Sequence, residues 1–147
     1  MDTLTDTELH AWFGLLQAHS NLTRQLDEAL LRKHRVSLAG HTVLFRIAAA
    51  GGRMRMAELA EIILLSPSGA SRLVDRLVED GLVERLPCPG DGRAIHAAIT
   101  PAGRRLLKQA ERTYEAEVRR LFLEHVSAAE VELLAGLWPR IALSCSH

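Results

Sequence analysis

Between Ser66 and Arg105 the apolar positions first keep a helical period and then give way to two β-prone runs. Ala70, Leu73, Val74, Leu77 and Val78 recur at three- and four-residue spacing, the period of one helix face. Ser68, Ser71, Arg72, Asp75, Arg76 and Glu79 fall on the opposite face. Ser66 is placed to cap this helix through its hydroxyl, Pro67 suits the first helical position, and Gly81 suits the left-handed residue that closes it. Val83 to Leu86 and Ala94 to Ile99 then predict two strands around Pro87-Cys88-Pro89-Gly90-Asp91-Gly92, a turn-rich tip. Thr100-Pro101 opens the next helix by the same device of cap and proline. A helix with a polar, arginine-bearing face followed by a β-hairpin is the layout of a winged helix-turn-helix.

The rest of the chain is helical in period. Thr5 and Glu8 fit a capping box, and a long helix is predicted from there to about Lys33. Its stripe is Leu9, Trp12, Phe13, Leu16, His19, Leu22, Leu26 and Leu30. Such a stripe is too long for one small core to cover, so part of it is expected to face another subunit. Ser37 caps a second helix, Leu38 to about Ala50, which Gly51-Gly52 ends. A short strand fits Arg53-Met54-Arg55, and a third helix fits Met56 to about Ile63 with Ala57, Leu59, Ala60 and Ile63 inward. That helix and the one after Ser66 make a helix-turn-helix pair. Pro101 to about Glu124 carries Leu106, Leu107, Ala110, Tyr114, Val118, Leu121 and Phe122 on one side. Ser127 and Glu130 form a second capping box before a last helix, whose apolar side is Val131, Leu134, Leu137, Trp138 and Ile141. Pro139 is expected to kink or loosen its final turns. The predicted order is α-α-α-α-β-β-α-α, a mainly α fold with a small β-wing.

Composition bounds the class. The 147 residues are 48% apolar and 24% charged, which suits one globular domain with a core of its own. No apolar run approaches the roughly eighteen residues of a membrane span. The opening MDTLTDTELH is polar and acidic, unlike a signal peptide, so the expected compartment is the cytoplasm. Cys88 and Cys145 show neither metal spacing nor pairing logic, as expected of a reduced interior. There is no G-x-S-x-G elbow, no phosphate-cradling glycine loop and no paired metal ligands, so neither catalysis nor a cofactor or metal is expected.

Charge weighs the other way from the motif. The chain has 18 basic and 18 acidic residues, whereas phosphate contacts favour basic surfaces. From Ser66 to Lys108, however, seven basic residues face five acidic ones, a local surplus of two. DNA binding on that surplus is expected to be salt-sensitive and to depend on dimerisation.

Four segments together resemble the MarR family of bacterial transcriptional regulators. They are S-P-S-G-A-S-R-L-V-D-R-L at 66–77, D-G-L-V-E-R at 80–85, D-G-R at 91–93 and I-T-P-A-G-R at 99–104. With the flanking helices the resemblance covers nearly the whole chain. It implies a winged helix-turn-helix lobe at about 37–100 for double-stranded DNA, and dimerisation helices at about 1–35 and 101–147 that intertwine with a twofold mate. It further implies a homodimeric repressor on a pseudo-palindromic operator, with half-sites about one helical turn (~10 bp) apart. Ser68, Ser71, Arg72 and Arg76 would then face the major groove, where arginine can pair with guanine and serine can serve bases or phosphates. In the wing, Asp91 and Arg93 match the first and last positions of the family's D-R-R turn, the aspartate holding the arginine as it enters the minor groove. Gly92 departs from the middle arginine and removes a charge from the phosphate contacts. The plainer reading of the same residues is an exposed helix face with Arg72–Asp75 or Arg76–Asp80 pairs and a solvated hairpin tip.

Two regulatory sites are expected in the same terms. Regulators of this family often bind small aromatic acids or phenols between the dimer helices and the DNA lobe. Trp12 and His19 (i, i+7), His41 and Phe45 (i, i+4) and Arg46 could supply stacking surfaces and a charge for such an effector, although aromatic residues at helical spacing also serve as core. Redox-sensing members use a cysteine in the first helix, which this chain lacks. Cys88, between two prolines, is expected to be exposed, with Arg85 and Arg93 near in sequence to favour a reactive thiolate. The competing class is a winged-helix module for protein–protein contact without specific DNA binding. Ser71, Arg72, Arg76 and Arg93 all standing in place favours DNA.

Overall fold

A computed structural model describes residues 2–144. Its long first helix, α1 (Asp6–His34), begins at a complete capping box. The Glu8 N–H donates to Thr5 Oγ1 at 3.2 Å, and the Thr5 N–H donates to the Glu8 carboxylate at 2.7 Å. The two halves of α1 have different surroundings. Leu26, Ala29 and Leu30 near its C-terminal end are buried, while Trp12, Phe13 and Leu16 stand 53%, 60% and 48% exposed.

The second helix, α2 (Leu38–Ala49), is the centre of the core. Its N-terminus is held twice: Ser37 Oγ accepts from the Gly40 N–H at 2.9 Å, and Asp27 on α1 accepts from the Leu38 N–H at 2.8 Å. Gly40, His41, Val43, Leu44 and Ile47 are buried. Leu30, Leu44, Ile47, Leu59, Val43, Val74 and Val83 are the largest fully buried side chains. Each such aliphatic residue contributes about 1.5–3 kcal/mol by leaving water.

Strand β1 (Arg53–Arg55) leads straight into α3 (Met56–Ile62), and α4 (Pro67–Glu79) follows after a short turn. Strands β2 (Val83–Cys88) and β3 (Asp91–Ile99) form the wing hairpin, in an antiparallel sheet of order β1-β3-β2. α5 (Pro101–Leu121) starts on a Thr100 cap. A short 3-10 turn, Leu123–His125, then leads to α6 (Ala128–Ser144). The Ser127–Glu130 capping box opens α6, with bonds of 2.9 and 3.1 Å. Gly103 lets α5 approach the turn before β2 closely, because a Cβ there would strike the Leu82 carbonyl oxygen.

The structure corrects the sequence reading at several places. Ala57 is exposed; Met56, Leu59, Ala60 and Ile63 share the inward line, being spaced at i, i+3, i+4 and i+7. Val78 lies at the edge of the buried face of α4 and is exposed. The wing strands are longer than their β-prone runs. β2 continues through Pro87 and Cys88, β3 begins at Asp91, and the turn shrinks to Pro89-Gly90, with Gly90 at φ 80°. Pro87 is accommodated because β2 is an edge strand and the register shifts between Pro87 and Cys88. α6 stays helical through Pro139 to Ser144. Cys145 lies outside the described residues.

Candidate nucleic-acid interface

The turn between α3 and α4 sets how α4 is presented. Leu64 takes a left-handed conformation, φ 57°, and the Leu65 N–H returns to the Ala60 carbonyl at 3.2 Å. Ser66 then caps α4, its hydroxyl accepting from the Gly69 N–H at 3.1 Å and lying 3.2 Å from the Ser68 hydroxyl. Burial of Ala70, Val74 and Leu77 against the core turns the other side of α4 outward. Ser68, Arg72 and Arg76 are exposed there, and Ser71 is half-buried.

The Arg72–Asp75 and Arg76–Asp80 pairs of the plainer reading do not form among the described residues. Asp75 is taken instead by Arg85 of β2, whose Nη1 donates to Asp75 Oδ1. The same guanidinium donates through Nη2 to the Ser71 carbonyl oxygen at 3.1 Å and to Ser71 Oγ at 3.2 Å. Among the described residues Arg72 and Arg76 make no ion pair. The acid beside them is neutralised from the wing side, so both guanidinium groups remain available. An exposed pair such as Arg85–Asp75 is worth no more than about 1 kcal/mol, so its main effect is geometric.

The root of the wing is tied by a second cross-strand group. Arg53 Nε on β1 donates to His96 Nδ1 on β3 at 2.8 Å, and Arg53 Nη2 reaches the Pro87 carbonyl on β2 at 3.4 Å. Acceptance at Nδ1 places the His96 proton on Nε2, which is buried and has no partner among the described residues. Arg93 is exposed on β3, not in a loop. The role expected of the Asp91 side chain lies outside the described residues.

A cavity of about 600 Å³ opens between α2 and α5. His41, Phe45 and Arg46 line it from α2, and Arg104, Lys108, Glu111, Tyr114 and Glu115 line it from α5. His41 and Tyr114 stack in parallel, with ring centroids 4.9 Å apart. Burial, and then the nearby His34, hold the His41 pKa below its ordinary value of 6.5. Trp12 and His19, expected at this site, lie on the unpacked half of α1 and do not line the cavity. The signal for the α5 contribution is the helical spacing of Arg104, Lys108, Glu111 and Glu115.

Cys88 is also corrected. It is only 8% exposed, at the turn end of β2, with its thiol 3.8 Å from the Pro89 carbonyl oxygen. The exposure on which a redox role depends is absent, because β2 extends to the turn and its last residue, Cys88, is buried there.

A helix-turn-helix followed by a two-stranded wing, in a sheet completed by β1 and flanked by long helices with uncovered apolar faces, defines a winged helix-turn-helix fold. Residues 36–94 match the sequence profile of the MarR family. The repressor IacR of Pseudomonas putida, an HTH-type transcriptional repressor, is 32% identical over 111 residues, which are 76% of this chain and 63% of that protein. AbsC, a MarR family transcriptional regulator from Streptomyces coelicolor, is similar in structure with a TM-score of 0.90 at 29% identity, covering 100% of both chains. Sco3205, a MarR family regulator from the same organism solved in complex with DNA, has a TM-score of 0.94 at 26% identity, covering 100% of this chain and 92% of that one. Against the first curated relatives the chain spans only 58% to 63% of their length.

Proposed function

We propose that the protein is a homodimeric, sequence-specific DNA-binding transcriptional regulator, a repressor acting on a pseudo-palindromic operator in the cytoplasm by binding and not by catalysis. The observation that carries this reading is the state of α4. Arg72 and Arg76 stand exposed and without an ion pair among the described residues, while Asp75 between them is neutralised by Arg85. That arrangement creates the local positive surface a neutral chain needs for a phosphate-lined groove. Similarity to Sco3205, solved on DNA, and to the repressor IacR supports it. Ser68, Ser71, Arg72 and Arg76 then face the major groove, and Arg93 with Asp91 serves the wing.

In this reading residues of about 1–35 and 101–147 form the dimer lobe and about 37–100 the DNA lobe. A twofold mate covers Trp12, Phe13 and Leu16 of α1 and Leu133, Trp138 and Ile141 of α6, all exposed in the single chain. The cavity between α2 and α5 takes a small aromatic acid or phenol. Phe45 and the His41–Tyr114 stack meet its ring, and Arg46, Arg104 or Lys108 meets its charge.

The test is a fluorescence-anisotropy titration against DNA upstream of the protein's own gene, at two salt concentrations, beside a scrambled duplex. Tight, salt-dependent binding that exceeds the scramble and collapses in Arg72→Ala is the expected result. Equal binding to both duplexes by a folded dimer would overturn the assignment in favour of a protein-contact module.

A further inference from the structure

Arg85 points its guanidinium at α4, ten residues back along the chain, and so constrains the chemistry of a side chain in the proposed interface. Arginine has donors only and stays charged, so the 3.2 Å contact makes Ser71 Oγ the acceptor. The Ser71 hydroxyl proton has no acceptor among the described residues. A serine inside a helix commonly turns its proton back to the carbonyl four residues earlier, here Pro67, but no such bond forms. With one of its two lone pairs taken by a permanently charged guanidinium, the half-buried Ser71 hydroxyl is polarised toward donating its proton to a further partner. The second Nη2 bond, to the Ser71 carbonyl at 3.1 Å, and the bond from Nη1 to Asp75 fix the guanidinium against the helix.

We propose that Arg85 is a positioning residue that fixes Ser71 as a hydrogen-bond donor, so that the base facing Ser71 in each half-site is selected against cytosine. This rests on the DNA-binding reading above. In the major groove guanine offers two acceptors, adenine N7 and thymine O4, whereas cytosine offers only its amino donor. A serine free to rotate serves either kind of edge; one held by Arg85 serves acceptors. Arg85 itself contacts no phosphate, although by charge and position alone it counts among the basic residues of the lobe.

The experiment is selection from a randomised duplex pool with the wild-type protein, Ser71→Ala, Arg85→Met and Arg85→Lys. Thermal melts and the salt dependence of affinity for the best duplex accompany each. Wild type is expected to deplete cytosine about tenfold at one position per half-site, the size of an ordinary single-base penalty. Ser71→Ala and Arg85→Met, the latter made together with Asp75→Asn so that no uncompensated carboxylate is left between Arg72 and Arg76, should each restore cytosine there, leaving the other positions and the salt slope unchanged. Arg85→Lys, which keeps a donor for Ser71, should retain part of the depletion. If Arg85→Met does not melt cooperatively, the Lys and Ala variants decide the question.

Three results overturn the proposal. A salt slope reduced by about one in Arg85→Met, with all sequences weakened alike, makes Arg85 a phosphate contact. Uniform weakening in Ser71→Ala places that hydroxyl on a phosphate. Full cytosine depletion retained in both Arg85 variants means that Ser71 needs no positioning. A folded wild-type dimer that enriches no motif at all fails differently, since it removes the DNA-binding reading itself.

Discussion

Leu64 holds a conformation that leucine avoids, at φ 57° and with 89% of its surface exposed. The left-handed region costs an ordinary L-residue about 1–2 kcal/mol, and glycine enters it freely. The exposed side chain recovers little of that by packing. Leu64→Gly is therefore expected to raise stability by about 0.5–1 kcal/mol, read as a higher denaturant midpoint with an unchanged m-value; the net gain is reduced by glycine's freer unfolded state. His41 offers the other residue-scale prediction. Its pKa is depressed in the folded protein, chiefly by burial and secondly by His34, so the unfolded chain binds the extra proton first. Stability is then complete above its unfolded value of about 6.5 and falls as pH drops below it. His41→Phe, which keeps a ring against Tyr114, should lose less stability than wild type between about pH 7 and pH 5.5 in parallel denaturant titrations. Equal losses would place the acid sensitivity elsewhere.

In the proposed DNA-binding reading, α4 and the wing divide the work of recognition by their shapes. A helix in the major groove meets base edges, and a hairpin flanking it meets the backbone or the minor groove. Arg72→Ala should therefore reduce discrimination between operator and scramble, by about 1–3 kcal/mol where it pairs with guanine. Arg93→Ala should weaken both duplexes more evenly and lower the salt slope by about one. Competition titrations with the two duplexes separate these outcomes; identical behaviour of both variants would dissolve the division. The sheet root supports it mechanically. Arg53, His96 and Pro87 join all three strands, and Arg85 joins β2 to α4, so wing and helix are linked by side chains as well as by the Gly81 turn.

At the scale of the whole molecule, the uncovered faces of α1 and α6 are the largest unexplained expense of apolar surface in an isolated chain. Phe13 at 60% and Leu133 at 67% exposure lie on different helices, and a twofold partner would cover both. Phe13→Glu combined with Leu133→Glu is expected to shift the protein from dimer to monomer in sedimentation velocity, with helical content largely kept. It should also abolish high-affinity operator binding, since a single lobe has only one half-site's contacts. A dimer that survives the double change would place the interface elsewhere.

The part of this molecule legible in the amino-acid order is the part held together over short distances. Thr5, Ser37, Ser66, Thr100 and Ser127 each form the cap read for them, because the partner lies three residues on. The helical period located the buried residues of α4, and the strand over Arg53–Arg55 and the left-handed Gly81 were legible in the local order as well. The resemblance in the 66–104 segments placed these elements in a family and indicated which face of α4 to examine. What tertiary structure decided depends on residues far apart in the chain. Arg85 takes Asp75 because β2 folds back over α4; β2–β3 pairing buries Cys88; α5, far along the chain from α2, supplies the other half of the cavity. Trp12 and His19 drop out of that cavity because their turns of α1 project beyond the core. Caps and periods are energies between near neighbours and can be read from order alone, whereas the state of each site residue depends on which distant side chain the fold brings against it.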